Sequence, residues 1–259
     1  MALVPAVRLA ALAFLAGAAF AGADTALGPT VSLAGNFSVQ GKAVAGGFYS
    51  GNYGPFYVRV CAAYSPMPAS PTYSQDWPPS SPPTDDRGYA SCELLGAHFA
   101  DGSRALGLGG FYKFSRGRKD YDYYFYGPTI ESLQENYVAF KHDIVAVGGC
   151  RVHAEGKGTA VVWGGLGVSH FRRHGLRRHW WSDFYNPENT YEVITPLDTQ
   201  LTTLAAGVGV DVRARFAGPF GAYGSARGVA PLANIYLQGY DRAEPGASIA
   251  FTAGGLVGW

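Results

Sequence analysis

Short and long connections take turns along this chain, and that rhythm restricts its fold more than any single residue does. Eight segments alternate apolar and polar residues at every second position, over 55–66, 88–99, 104–116, 135–153, 158–171, 199–216, 219–233 and 247–259. A period of two belongs to a strand, whose side chains leave the pleat on opposite sides. The sequences Ala100-Asp101-Gly102-Ser103, Ala154-Glu155-Gly156-Lys157 and Ala217-Gly218 join three pairs of segments as short turns, built of residues suited to tight reversal. The connections over 66–87, 117–134, 172–198 and 234–246 are longer. A sheet running up and down with both ends on one side produces this alternation. A sandwich or jelly roll has no cause to.

The two faces of each segment differ in kind. Phe56, Val58, Val60, Ala62 and Tyr64 share one face of the first segment, and Tyr57, Arg59 and Cys61 the other. Leu106, Leu108, Gly110, Tyr112 and Phe114 oppose Lys113, and Leu204, Ala206, Val208, Val210, Val212 and Ala214 oppose Asp211, Arg213 and Arg215. In a bilayer the apolar set must face lipid, because a cation at mid-depth costs roughly 2–4 kcal/mol. The expected fold class is therefore all-β: an antiparallel up-and-down transmembrane β-barrel of eight strands, with short periplasmic turns and long extracellular loops. Ten strands is the alternative, if 31–39 and 43–49 add a hairpin with Gly51-Asn52-Tyr53-Gly54 as a further turn.

The inward faces collect Arg59, Glu93, Lys113, Lys141, Asp143, Arg151, Asp211, Arg213, Arg215 and Arg227. A barrel of eight strands is just wide enough for side chains to fill, so these charges should meet inside. Lys113 with Asp143, and Arg59 with Glu93, are the expected ion pairs, and a lumen plugged in this way is not an open pore. His142 conflicts with the pattern. It falls on the apolar face beside Val138, Phe140 and Ile144, at an interface or beyond a bulge that shifts the parity. Pro231 marks a break near the end of its segment.

Composition and the N-terminus agree with export into an envelope. Charged residues make up 15% of the 259, against roughly 25% in soluble proteins. The net charge of +1 gives no field that would attract nucleic acid. Arg8, the apolar run over 9–20 and Ala21-Gly22-Ala23 read as a cleavable signal over 1–23, followed by no run long enough for a membrane helix. Cys61, Cys92 and Cys150 are odd in number and scattered. They suit small buried or lipid-facing positions better than a disulfide framework or a metal site.

The last segment alternates Ile249, Phe251, Ala253, Gly255, Val257 and Trp259 on one face and ends on an aromatic residue. With the export site and the glycine-rich strands, this chain resembles the small bacterial outer-membrane barrels, the OmpA-like transmembrane domain and the opacity-type surface proteins. The resemblance spans 55–259. It implies a Gram-negative outer-membrane location. It also implies that Phe251, Val257 and Trp259 form a C-terminal signal read by the outer-membrane assembly machinery. Trp stands where Phe is usual. The expected layout is a signal peptide over 1–23, an N-terminal segment over 24–54 and the barrel over 55–259. A peptidoglycan-binding anchor of the OmpA type is not expected.

Function is less legible. Arg172, Arg173, His174, Arg177, Arg178, His179, Trp180 and Trp181 crowd one predicted outer loop. Arg clamps phosphate through two bonds and Trp favours the membrane interface. Lipopolysaccharide, or a host or surface ligand, is the expected partner; an aromatic girdle with solubilising arginines is the plainer alternative. Two His residues in a loop do not suffice for metal, and neither metal nor cofactor is expected. Tyr121, Tyr123, Tyr124, Phe125 and Tyr126 crowd another outer loop, and Trp77-Pro78-Pro79 with Pro82-Pro83 suggests stiff coil. Lipid A deacylases of this architecture use a His-x-Ser arrangement, which is absent. Ser169-His170 is the nearest substitute, but neighbours on a strand face opposite ways. The expected role is non-enzymatic: a surface protein serving envelope structure, adhesion or ligand binding through its loops. A small-solute channel and a lipid A-modifying enzyme are the alternatives.

Overall fold

The computed structural model describes residues 24–36, 42–68, 84–126, 129–154, 157–183, 185–186, 188–232 and 248–258. The signal expected over 1–23, the prolines within 69–83 and Trp259 lie outside them. Ten strands follow in chain order: β1 (Asp24–Asn36), β2 (Lys42–Tyr53), β3 (Phe56–Pro68), β4 (Thr84–Phe99), β5 (Arg104–Tyr126), β6 (Thr129–Ala154), β7 (Gly158–Asp183), β8 (Thr190–Ala217), β9 (Phe220–Pro231) and β10 (Ser248–Gly258). Each pairs antiparallel with its sequence neighbours, and β1 pairs with β10 to close the ring. Closure leaves no unpaired sheet edge.

The expectation of eight strands is corrected to ten. The missing pair is the N-terminal hairpin β1–β2, and the last strand closes on β1 rather than on the segment starting at 55. Pro29 and the Gly46-Gly47 pair blur the alternation there. Pairing with β10 lapses at Gly28 and Pro29 and resumes in the same register at Thr30, as suits a residue without an N–H.

Two predicted loops are also corrected. The stretch 117–134 continues the β5–β6 ladder out to Tyr126 opposite Ile130. The stretch 172–198 continues β7 and β8 out to Ser182 opposite Thr190. In the outer halves of β7 and β8 apolar residues fall on both faces, Leu176 and Ile194 outside and Leu197 inside, so hydrophobic contrast is lost while backbone pairing persists. The result is a tall wall of β5 to β8 on a shorter ring. The short turns, the start of β1 and the end of β10 gather at the other rim. Two of those turns are Gly-Pro pairs, Gly54-Pro55 and Gly218-Pro219, with glycine φ of 61° and 55°. That left-handed region is open to glycine without strain.

The barrel is inside-out. Leu106 and Leu108 are each 76% exposed and Leu166 is 64%, whereas Arg59 and Asp143 are at 0%. His142 does face outward, and no bulge is needed, because the ladder runs unbroken through Phe114, His142 and His170. Pro231 is the last residue of β9. Two ring stacks cross the interior, Phe111 with Trp163 at 4.8 Å and Phe48 with Tyr223 at 4.0 Å. Gly209 makes room for the Trp163 indole, since a Cβ there would fall 2.5 Å from the ring.

Candidate functional site

The ten charged residues assigned to the interior occupy three levels. At mid-barrel Arg59 on β3 donates to Asp211 on β8 at 2.6 Å and lies 3.6 Å from Glu93 on β4. Asp211 also accepts from the Tyr223 hydroxyl at 3.1 Å and from the Trp163 indole at 3.2 Å. Glu93 gathers two further cations, Lys113 at 3.7 Å and Arg227 in direct contact. Arg227 in turn donates to Ser225 at 2.9 Å and Thr252 at 3.0 Å. Arg59, Glu93, Asp211 and Arg227 thus tie together β3, β4, β8 and β9, which the ladder alone does not connect across the lumen.

Of the two expected pairs, Arg59 and Glu93 are in ion-pair range. Lys113 and Asp143 stand opposite each other in the β5–β6 ladder, with Glu93 near Lys113 and Lys141 3.4 Å from Asp143. Toward the turn rim, Arg213 donates to the Ser50 carbonyl at 3.3 Å and to Thr159 at 3.2 Å. Arg151 donates to the Gly54 carbonyl at 3.0 Å and lies over the Phe99 ring. Arg215 is half-buried near the same rim.

The cation-rich stretch assigned to a binding loop lies in the outer half of β7, so its side chains split between two faces. Arg173 and Arg177 face the lumen side, where Glu135 on β6 takes Arg177 at 2.6 Å and Arg173 at 3.8 Å. His179 lies 3.7 Å from Glu131. Arg172 and Arg178 face outward and pair with Asp198 and Glu192 on β8. Hydrogen bonding by Glu192 raises the pKa of the Arg178 guanidinium. Trp180 and Trp181 are half-buried on opposite faces beside Glu192 and Tyr191. Sequence reading recognised the cations but not their carboxylate partners, because Glu131, Glu135, Glu192 and Asp198 are distant in sequence. Extending the period of two beyond position 171 would have found them.

Ser169 and His170 point apart. Ser169 is sealed inside, and His170 meets the Thr202 hydroxyl at 2.8 Å outside. That geometry does not offer the His170 ring to Ser169 as a base. Among the described residues no group of His, Cys, Asp or Glu is arranged to hold a metal. Cys61 is inside beside Tyr223, and Cys92 and Cys150 are half-exposed; all three are free. Phe251 and Val257, assigned to a C-terminal signal, face outward on β10.

No family model matches the chain and no curated protein matches it. Among solved structures it is similar to the outer membrane protease OmpT from Escherichia coli, at 10% identity over 92% of this chain and 96% of that one, with a TM-score of 0.48. It is similar to Ail, the attachment invasion locus protein of Yersinia pestis, at 10% identity over 92% and 97%, with a TM-score of 0.29. A major outer membrane protein from Thermus thermophilus aligns at 9% identity over 92% and 100%, with a TM-score of 0.34. At these identities and scores the likeness carries nothing about activity.

Proposed function

We propose that this chain is a non-enzymatic barrel of the bacterial outer membrane, exported by a cleaved signal and assembled by the machinery that reads β10. Its body serves envelope structure, and the β5–β8 wall presents a surface for adhesion or ligand contact. The observation that carries this reading is the inversion of the fold, with paired charges buried inside and a belt of leucine and valine outside. Water offers no reason to expose Leu106, Leu108, Leu166, Leu204 and Val208 together; a bilayer requires it. The belt on β8 runs from Leu204 to Val212, in line with the roughly 9–11 residues of a tilted membrane strand.

The mid-barrel network weighs against a channel. An ion entering that level would have to displace Arg59 from Asp211 and Glu93, and each broken pair leaves a buried charge at a cost of about 3–5 kcal/mol. The test takes two readouts on the protein expressed in a Gram-negative host. It should fractionate with the outer membrane and migrate differently in SDS before and after boiling, and in planar bilayers it should give no steady current. Recovery as a detergent-free soluble protein would overturn the membrane reading, and steady unit conductance would overturn the filled interior. A change in lipid A mass in expressing cells, lost on Ser169→Ala, would overturn the non-enzymatic reading.

A further inference from the structure

On the outside of the wall the wholly apolar rows give way to mixed rows at one level on four adjacent strands. The last apolar row is Tyr112, Ile144, Val168 and Leu204, each opposite the next in the ladder. The row above reads Phe114, His142, His170 and Thr202, and the next reads Arg116, Phe140, Arg172 and Gln200. His174 follows two residues beyond Arg172 on the same face. Three histidines and two arginines thus appear together within one turn of the pleat, where lipid chains would give way to headgroups.

These residues enclose space. His142, His170, Arg172, His174 and Phe140 line an outward pocket of about 510 Å³. The His142 and His170 rings are 6.4 Å apart. Tyr112 meets Nδ1 of His142 at 3.0 Å and Thr202 meets Nδ1 of His170 at 2.8 Å. When each hydroxyl donates to Nδ1, Nε2 is left as the N–H donor of the ring. Arg116 lies 5.7 Å over the Phe140 ring and has no ion-pair partner among the described residues. Arg172 shares Asp198 at 3.3 Å, both about half exposed, an arrangement weak enough for an anion to compete. Cationic donors above an apolar wall suit an amphiphile with a phosphate at the boundary of its acyl chains. Charge-assisted bonds to phosphate are strong, and Arg supplies two at once.

We propose that this pocket binds the phosphate of an outer-leaflet glycolipid, with His170 and Arg172 of its lining and Arg116, which lies over the lining Phe140 ring, as donors, and with the belt below them as the acyl-chain surface. The site rests on the membrane-spanning reading, and the test separates the two. The full chain is folded in a zwitterionic detergent, and the temperature at which its compact unboiled form is lost is measured alone, with lipid A, with dephosphorylated lipid A and with inorganic phosphate. Lipid A should raise that temperature by several degrees and the other two should not. In the variant Arg116→Gln/His170→Gln/Arg172→Gln the compact form should persist while the lipid A increment is lost. A single variant at the turn rim, Lys157→Gln, should keep it. An increment retained in the triple variant, or reproduced by inorganic phosphate or by dephosphorylated lipid A, overturns the glycolipid site. Absence of any compact unboiled form in the unsubstituted protein overturns the membrane reading instead. Should the triple variant fail to fold, Arg116→Gln alone, which breaks no ion pair among the described residues, must reduce the increment for the site to stand.

Discussion

Two clusters of the same chemistry sit at different heights on this barrel, and burial sets them apart. Glu93 holds three cations at mid-barrel, where its side chain and that of Arg59 are almost wholly enclosed. Glu135 holds Arg173 and Arg177 in the outer wall, where Arg173 is as enclosed as the mid-barrel cations but the Arg177 side chain is 20% exposed. A charge closed off from water must be met by protein, whereas one near the rim can be met by solvent when its partner leaves. Loss of the mid-barrel cluster should therefore cost the ring more than loss of the wall cluster does. The wall cluster decides only how firmly the upper strands stand.

That contrast is sharpest at Glu93. Glu93→Gln should remove the carboxylate that Arg59, Lys113 and Arg227 share, costing about 3–5 kcal/mol, read as a large fall in the urea midpoint of the compact form or failure to fold. If the midpoint stays within error, the mid-barrel charges are already solvated and the contrast fails. Glu135→Gln should cost about 1.5–3 kcal/mol of local stability. It should appear as faster amide exchange over 172–183 with the barrel midpoint little changed. A global loss of stability would show that wall and ring unfold as one unit.

Gly209→Ala probes the mid-barrel level without touching a charge. Its methyl would meet the Trp163 ring, and overpacking of this kind costs about 1–3 kcal/mol. Trp163 should shift its fluorescence, since its indole must turn from Asp211. The smallest effect belongs to Asp198→Asn, which removes an exposed pair with Arg172 worth under about 1 kcal/mol. Its effect should vanish at high salt, as that of Glu93→Gln should not.

Much of the ring was legible because the two faces of its strands obey a strict rule, one apolar and the other charged. Leu204, Val208 and Val212 against Asp211 and Arg213 leave one orientation open, and Cys61, Arg59 and Tyr57 on β3 repeat it. The rule fades in the outer wall and in the N-terminal hairpin. In the outer half of β7, Arg172 and Arg173 face opposite ways with no hydrophobic contrast between them, so a strand resembles a loop. In β1, Pro29 and the neighbouring glycine leave too few large apolar residues for the period to show, and the ring was undercounted by a hairpin. The interior was readable as a set of charges, while the partner of each depended on packing across the lumen. Asp211 reaches Arg59 although 152 residues separate them, and no local pattern encodes that meeting. The outward His142 pocket was hidden for the same reason, since its members come from β6 and β7 and acquire meaning only through their shared rows.

The inversion of the fold is open to a direct measurement. Single cysteines placed in turn at every position from 204 to 212 on β8, in a chain with Cys61, Cys92 and Cys150 replaced by Ala, would carry a small fluorophore in protein folded into vesicles. Brominated acyl chains should quench the probe at Leu204, Ala206, Val208, Val210 and Val212 and spare it at the positions between, a period of two along the belt. Uniform quenching, or none at any position, would contradict a barrel that turns its leucines to lipid and its charges inward.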